Sequence, residues 1–451
     1  MKTRSQFNKA HIISYSGTVT ADDFEDELVK FYTSDADVSQ PLLLDFALAT
    51  YIDIPTLVNI TAFTLGRQDN RQDTYISVPR SKLVRDFLRV WRFPEAFRNA
   101  TGIQFEDRLV QEDQRFRGEP QDTYRGFGSG IDVLEYNPNW SPSYPRRRNF
   151  FEFMTYRPQD TFGSPIQPGA IARSEGLHWN GDLINEVLKT NLAGDNSKED
   201  VARVVIYETL SNGVRHPDAK VIQAVSRFER RDLVPTQLRV SVWDDGQGII
   251  STLKPLIEKG LPIRSVRPPE FPEYMYDRIF VRVRAWGGSY DNEQEVDQGE
   301  DPTPNTPDYV ILLSSLYPGI SRSVSVPVRK VDGFDDDAES ASSQVKRTGE
   351  SRNEEQEAGA PWSESDTLAS KAGMGLYALT RAVVDRHTGS LILRTGRYSL
   401  QLELSHDTYT HQHHVRYKAK VTLFPDKYPP FKGNLLTVGL PAQDRLRHAR
   451  D

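Results

Sequence analysis

The 451-residue chain contains no cysteine and only four methionines. The lack of cysteine excludes disulfide bonds, thiolate metal sites and a cysteine nucleophile. No apolar run is long enough to cross a membrane, and the N-terminal segment that contains Lys2 and Arg4 has no apolar signal core. The sequence therefore predicts a cytoplasmic protein without a membrane anchor.

The sequence also lacks a large excess of charge of one sign, with a net charge of −7 at pH 7. Hydrophobic residues make up 37% and charged residues 26% of the chain, as in ordinary globular proteins. The length predicts two or three domains. The negative charge argues against nucleic-acid binding by the whole chain. Arg146–Arg148 leaves a local nucleic-acid contact open, although the solvated edge of a strand is the favoured interpretation.

Residues 1–110 alternate between short apolar runs and segments with helical periodicity. The patterns predict strands at His11–Thr18, Pro41–Phe46 and Thr74–Val78, and helices at Ala21–Tyr32, Ile54–Leu65 and Ser81–Arg92. Strands that alternate with helices form βαβ units, so we expect a largely parallel sheet.

The turn from Leu44-Asp45-Phe46 through Tyr51-Ile52-Asp53 into the second of these helices resembles STAS-type domains, the anti-anti-sigma fold. The resemblance implies a small STAS-like α/β domain over residues 1–110. STAS switch proteins carry a phosphorylatable serine at the start of this helix. Here that position is Pro55, with Thr56 beside it, so the sequence does not favour a phosphorylation switch.

Residues 111–175 are expected to form an irregular connection. The stretch from Glu106 to Pro145 is polar and rich in glycine, proline and arginine, with few apolar periods. A strand is predicted at Phe150–Tyr156, and an amphipathic helix at Gly181–Leu192.

The stretch from Ile206 to Ile249 is the most informative part of the chain. Glu208, Asn212 and His216 fall at positions i, i+4 and i+8, so they share one face of a predicted helix. Leu238, Val240 and Val242 then alternate as in a half-buried strand, which ends in a tight turn at Asp244-Asp245-Gly246-Gln247-Gly248.

These two motifs, Glu-x-x-x-Asn-x-x-x-His and Asp-x-Gly-x-Gly, resemble two sequence boxes of the GHKL ATPases. That superfamily includes gyrase, heat-shock chaperone ATPases, sensor histidine kinases and mismatch-repair ATPases. Its third box, Gly-x-Gly-Leu before a helix, is matched by Gly373–Leu376, and its closing strand by Gly433–Pro441. The resemblance implies a Bergerat-type ATP-binding fold, a two-layer α/β sandwich, over residues 176–441. The predicted fold class of the chain is α+β.

The resemblance also implies ATP and Mg²⁺ as ligands and assigns roles to the matching residues. Glu208 would orient and deprotonate the attacking water, and Asn212 would bind Mg²⁺ through its amide oxygen. Asp244 would accept a hydrogen bond from the adenine amino group. Gly246 and Gly248 would let the backbone approach the base closely.

Further residues are predicted to contact the phosphates. Gly373, Gly375 and Leu376 open a helix whose N-terminal amides would hold phosphate oxygens, and Lys371 would add positive charge. His216 would contact a phosphate when it is protonated. Without the other motifs, the residues of each box would be read as an ordinary helix face or a glycine turn.

Residues 260–370 are longer than the corresponding lid of the family, so they are predicted to be an insertion. The apolar runs Ile279–Ala285 and Tyr309–Leu316 are interpreted as strands. Residues 332–366 are rich in aspartate, glutamate, serine and glycine, a composition that predicts disorder.

Three functions remain open from the sequence. The favoured one is a Mg²⁺-dependent ATPase that acts as a nucleotide-driven switch in signalling or in a multi-protein system. The second is a protein kinase, either a serine/threonine kinase of the anti-sigma type or an atypical histidine kinase. The third is a catalytically silent nucleotide-sensing scaffold. A protein partner is expected at the N-terminal domain or at the 260–370 insertion, and a homodimer is also considered.

Overall fold

The computed structural model describes fifteen stretches of the chain, which together form a mixed α/β structure. They are residues 2–3, 10–111, 150–156, 202, 205–206, 209, 219–231, 234–261, 263, 278–296, 302–317, 376, 379–385, 389–404 and 416–442. None of the helices in these stretches has both the length and the apolar character needed to cross a lipid bilayer.

The N-terminal α/β unit contains the described residues up to Gln111. Its strands are β1 (Lys2–Thr3), β2 (His11–Val19), β3 (Leu42–Ile52), β4 (Thr74–Ser77) and β5 (Leu109–Gln111). Its helices are α1 (Ala21–Thr33), α2 (Ile54–Asp69), α3 (Lys82–Val90) and α4 (Phe93–Thr101), followed by a 3₁₀ turn at Phe105–Arg108. The strand order is β1-β5-β4-β3-β2, and every neighbouring pair is parallel, which confirms the predicted parallel sheet.

The C-terminal unit contains the described residues from Phe150 onwards. Its strands are β6 (Phe150–Tyr156), β7 (Ile222–Arg231), β8 (Val234–Asp244), β9 (Arg278–Ala285), β10 (Gln294–Val296), β11 (Ser390–Gly396), β12 (Tyr398–Leu404), β13 (Arg416–Leu423) and β14 (Phe431–Pro441). Its helices are α5 (Ile249–Glu258) and α6 (Asp308–Ser314), with a π-helical segment at Thr380–Asp385. The strands form one sheet in the order β10-β9-β13-β12-β11-β14-β8-β7-β6. Only the β9–β13 pair in this sheet is parallel.

The prediction of an irregular stretch from Glu106 onwards is wrong for its first residues. Leu109 and Val110 are each 1% exposed, and β5 pairs with both β1 and β4. Two apolar residues after three charged ones give no periodic signal, so only the pairing with neighbouring strands reveals this strand. The predicted strand at Phe150–Tyr156 is confirmed as β6. Residues 112–149 and 157–175 of the predicted irregular connection, the helix at Gly181–Leu192 and the disordered segment at 332–366 lie outside the described residues.

The start of α2 shows why Thr56 is unsuited to a phosphorylation switch. Asp53 is the N-cap, and its carboxylate accepts hydrogen bonds from the Thr56 backbone N–H at 2.8 Å and from the Thr56 hydroxyl. Proline at the first turn of a helix is tolerated, since it lacks only an N–H that would have no partner within the helix. Thr56 is 0% exposed, so its hydroxyl serves the cap and is closed to a modifying enzyme.

One face of the C-terminal sheet is covered by helices. Alternate residues of β8, namely Leu238, Val240 and Val242, are buried in a core with residues of α5 and α6. Ala202, Val205, Ile206 and Thr209 are helical and buried, and the first three belong to the same core. The predicted helix is confirmed at these positions, and their spacing puts them on one core-facing side.

The apolar run Tyr309–Leu316 was predicted as a strand, and that prediction is wrong. The structure places α6 there, with Ile311, Leu312 and Leu313 buried in the same core. A short run that is apolar on all sides does not distinguish a buried strand from a buried helix. By contrast, the predicted strand at Ile279–Ala285 is confirmed as β9, which extends the sheet by pairing with β13.

The other face of the sheet packs against the N-terminal unit. Trp243, Val225 and Leu435 share a buried core with residues of α1, α2 and β3. The Trp286 indole donates a hydrogen bond to Asp26 at 3.1 Å, and the rings of Tyr32 and Tyr428 contact edge to face. The two units therefore meet through a mixed apolar and polar interface.

A buried ion pair lies at the centre of this interface. The Nε of Arg394 on β11 donates to the carboxylate of Glu25 on α1 at 2.6 Å, and the two side chains are 4% and 7% exposed. The guanidinium also donates to the carbonyls of Gly396 and Tyr398 and lies 3.8 Å from the centre of the Phe424 ring. Burial raises the pKa of Glu25, and the Arg394 guanidinium opposes part of that rise.

We expect the Glu25→Leu and Arg394→Met substitutions to be strongly non-additive. Each single change leaves a buried group without its partner and should lower the free energy of unfolding by about 3–5 kcal/mol. The double variant should lose clearly less than the sum of the two losses, because neither buried charge is then left without its partner. Chemical denaturation of the four proteins measures these values.

A control cycle uses Glu403→Gln and Lys420→Met, an exposed cross-strand pair whose charged atoms are 3.9 Å apart. Its coupling should stay below about 1 kcal/mol because solvent screens the pair. Additive losses at Glu25 and Arg394 would mean that the interface does not depend on their contact.

Candidate functional site

Asp244 lies at the end of β8, between β7 and β14. Side chains alternate between the faces of a strand, so Asp244 lies on the same face as Val242, the face that carries the helices. Trp243 projects to the opposite face and joins the core shared with the N-terminal unit. The structure thus places the predicted adenine-binding carboxylate beside the helical layer.

The Asp244 carboxylate is held by backbone and side-chain donors and is 4% exposed. One oxygen accepts from the Gly246 N–H at 3.0 Å, which closes the turn. The amide of Asn434, directly opposite on β14, lies 3.3 Å from the other oxygen. Donors on two sides fix the carboxylate in one orientation.

Asn434 also connects the turn to the start of α5. Its amide nitrogen donates to the Gln247 carbonyl at 3.3 Å, and its amide oxygen accepts from the Ile249 N–H at 3.2 Å. The Ile249 N–H is also 3.1 Å from the hydroxyl oxygen of Thr395 on β11. Gly248 is the N-cap of α5 and has no side chain to cap the helix, so residues from two neighbouring strands supply the missing acceptors.

Two glycines are required by close packing at this turn. A Cβ on Gly248 would lie 2.8 Å from the Thr395 hydroxyl oxygen. Gly433 has a φ of +77°, and a Cβ there would lie 1.6 Å from the Asp244 carbonyl oxygen. Gly433 therefore allows the backbone before Asn434 to pass directly over the end of β8.

Asp245 has a structural task that differs from that of Asp244. One of its carboxylate oxygens accepts from the backbone N–H groups of Lys220 and Val221, at 2.7 and 2.8 Å. The other is 3.9 Å from the ammonium of Lys432, which also pairs with Asp69 of α2 at 2.6 Å. Adjacent aspartates thus serve opposite faces of the sheet.

The third predicted box is described only in part. Leu376 and Leu379 are helical, and Thr380–Asp385 is π-helical, so the helix predicted after this box is confirmed at these positions. Leu379, Val383 and Val384 are buried in the core beneath the sheet, and Leu376 packs against it. The predicted phosphate-binding residues Lys371, Gly373 and Gly375 lie outside the described residues.

The predicted catalytic and metal-binding residues, Glu208, Asn212 and His216, also lie outside the described residues. The neighbouring Thr209 is buried, and its hydroxyl bonds to the Val205 carbonyl of the same helix. Within the stretches that the structure describes, no three histidine, aspartate or glutamate side chains come together as a metal-binding group.

Sequence reasoning missed two residues that organise the site, Asn434 and Thr395. Asn434 belongs to the predicted closing strand Gly433–Pro441 but has no predicted role there. Thr395 belongs to none of the sequence motifs. Their role depends on β14 and β11 lying next to β8, and this adjacency is not encoded in any local pattern. The Gly433-Asn434 pair, which begins a predicted strand with a glycine, was the one available signal of close backbone approach.

We expect Gly433→Ala to be more destabilising than Gly260→Ala, although both glycines have positive φ. Gly260 has a φ of +65° and open space around an added Cβ, so alanine there costs only the backbone strain, about 1–2 kcal/mol. At position 433 the collision with Asp244 adds to that strain, for a loss of about 2–5 kcal/mol. Chemical denaturation compares the two variants, and equal losses would contradict the close approach.

Comparisons with known proteins add no relative to this picture. No family model, no curated protein and no solved structure matches the chain. The function is therefore inferred from the geometry around Asp244 and from the sequence motifs.

Proposed function

We propose that the C-terminal unit binds ATP with Mg²⁺ in the manner of the GHKL ATPases and acts as a nucleotide-dependent switch. The sheet with helices on one face corresponds to a Bergerat-type fold in this proposal, and the parallel N-terminal unit to a STAS-like domain. ATP and Mg²⁺ are cytoplasmic ligands, so the proposal implies a cytoplasmic protein.

The observation that carries the proposal is the position of Asp244. Its carboxylate ends a buried strand, faces the helical layer and is held by Gly246 and Asn434. A carboxylate fixed in this way can accept a hydrogen bond from an exocyclic amino group without reorganising. The glycine turn beside it leaves the backbone without side chains at the place where a planar base would lie.

The chemistry itself is assigned to residues from the sequence motifs. Phosphoryl transfer depends mainly on positioning and charge neutralisation. Asn212 would supply an oxygen to Mg²⁺, and the amides near Gly373 and Gly375 would hold phosphate oxygens. Glu208 would orient and deprotonate the attacking water.

The role of Asp244 is tested with two ligands that differ only in one group. ATP carries the 6-amino group that Asp244 is proposed to bind, and purine riboside triphosphate lacks it. A hydrogen bond to a charged group contributes about 1.5–3 kcal/mol, so wild type should bind ATP roughly 10- to 150-fold more tightly than the analogue. Asp244→Ala should bind both ligands with the weaker affinity, as measured by calorimetry.

The exposed carboxylate variant Asp35→Asn is the control and should retain the wild-type preference. If Asp244→Ala weakens both ligands equally, the residue supports the turn and does not read the base. If neither ligand binds to wild type, the proposal of a nucleotide site is wrong.

The reaction is tested with γ-labelled ATP and Mg²⁺. If the protein is an ATPase, wild type releases free phosphate. The Glu208→Ala variant should then bind ATP with nearly wild-type affinity but no longer hydrolyse it. Label that appears on protein would replace the ATPase proposal with a protein kinase. Tight ATP binding without release or transfer would favour a catalytically silent nucleotide sensor.

A further inference from the structure

A cavity of about 750 Å³ lies between the N-terminal unit and the turn that follows β8. It is bounded by α1 and α2, by residues 245–248, and by the segment 427–433 that leads into β14. Its lining includes Asp245 but not Asp244, whose side chain faces the helical layer on the other side of the sheet. Cavities of this size at domain interfaces are typical of small-molecule sites.

Helix α2 forms a long wall of the cavity. Asn59, Phe63, Gly66 and Asn70 line it at helical spacing, over a distance of about 16 Å along the helix axis. The residues that face them from the C-terminal unit include Tyr428 and Phe431. Five aromatic residues in all line the space between the units, and such rings suit a flat ligand.

The acidic and basic side chains that line the cavity differ in whether they have partners. Each of its carboxylates has a partner: Glu25 pairs with Arg394, Asp69 pairs with Lys432, and Asp245 accepts from two backbone N–H groups. The exposed ammonium groups of Lys220 and Lys427 have no ion-pair partner within the described ranges. The lining holds four cationic side chains, including Arg67 and Lys432, against three carboxylates, so its net charge is positive and an anionic ligand fits it.

A polar group in the wall also lacks a partner. Asn59 is 4% exposed, and its amide oxygen makes no hydrogen bond with any described residue. A buried amide without a partner costs free energy, and a ligand group that pairs with it recovers that cost. Rotation of the amide presents either a donor or an acceptor to the cavity.

We propose that this interdomain cavity is a second binding site, which takes an aromatic organic anion of metabolite size. The ring system of the ligand lies between α2 and the opposite wall of the cavity, which contains Tyr428 and Phe431. A polar atom of the ring forms a hydrogen bond with the Asn59 amide. The carboxylate, sulfonate or phosphate of the ligand contacts Lys220 and Lys427. This site is separate from the proposed ATP site, with which it shares only the turn at residues 246–248.

The first test uses a matched pair of fluorescent probes. 8-Anilinonaphthalene-1-sulfonate is an aromatic anion with one N–H, and N-phenyl-1-naphthylamine has the same rings without the sulfonate. Wild type should bind the anionic probe at one site and more tightly than the neutral one. The Lys220→Ala/Lys427→Ala variant should weaken the anionic probe roughly 2- to 30-fold, with little effect on the neutral probe.

A second test blocks the cavity with minimal disturbance of the fold. A Cβ on Gly66 would meet nothing within 4 Å, so the indole of Gly66→Trp can extend into the cavity. This variant should lose saturable binding of the anionic probe. Gly66→Ala is the control, since it favours the helix without filling the space, and it should bind like wild type.

Three outcomes would overturn the proposal. Wild type that shows no saturable binding of the anionic probe has no such site. Equal binding of the probe by Gly66→Trp and Gly66→Ala would place the probe elsewhere. A loss of ATP affinity in Gly66→Trp in parallel with the probe would make the cavity the nucleotide site itself. If wild type does not bind nucleotide, the proposed ATPase function is wrong. The probe experiment still shows whether the cavity binds an aromatic anion.

Discussion

The contact on which the rest of the structure depends is the burial of the Arg394 guanidinium between the two sheets. Removing a charge from water costs several kcal/mol unless charge and hydrogen bonds replace the solvent. The Glu25 carboxylate, two backbone carbonyls and the Phe424 ring supply most of that replacement, and they come from both units. The position of β11 relative to α1 is therefore fixed. Thr395, the next residue, accepts from the first N–H of α5, so the interface also helps to set where that helix begins.

The turn after β8 contacts the helical layer on one side of the sheet and the N-terminal unit on the other. Asp244 faces the helices, where we propose that a base binds, and Asp245 faces the N-terminal unit through Lys432 and Asp69. Asp244 and Asp245 are adjacent in the chain, and the ammonium of Lys432 lies between Asp245 and Asp69 of α2. The geometry thus provides a direct physical connection between the N-terminal unit and the proposed nucleotide site, without a long chain of intermediate residues.

Local patterns predicted the elements with clear periodicity and failed where tertiary contacts decide. The alternation of Leu238, Val240 and Val242 and the turn after them were predicted, because period and glycine content are local properties, whereas the start of β8 at Val234 and the helix α5 were not. The run Tyr309–Leu316 was misassigned because its five consecutive apolar residues fit a buried strand as well as a buried helix, and its helical form follows from packing in the core. Asn434 was overlooked because it lies 190 residues from Asp244 in sequence, and only the pairing of β14 with β8 brings them together. The roles of Glu208 and Asn212 remain predictions.

The same long-range pairing affects how the chain is made. Glu25 and Arg394 are 369 residues apart, so at about 5–20 residues per second a ribosome needs roughly 20–70 s to synthesise the second partner after the first. Until then the nascent N-terminal unit carries an uncovered acidic group beside aromatic side chains that the finished protein hides. Strands β11 and β14 cover this surface, so the N-terminal unit is fully packed only after both strands have been synthesised.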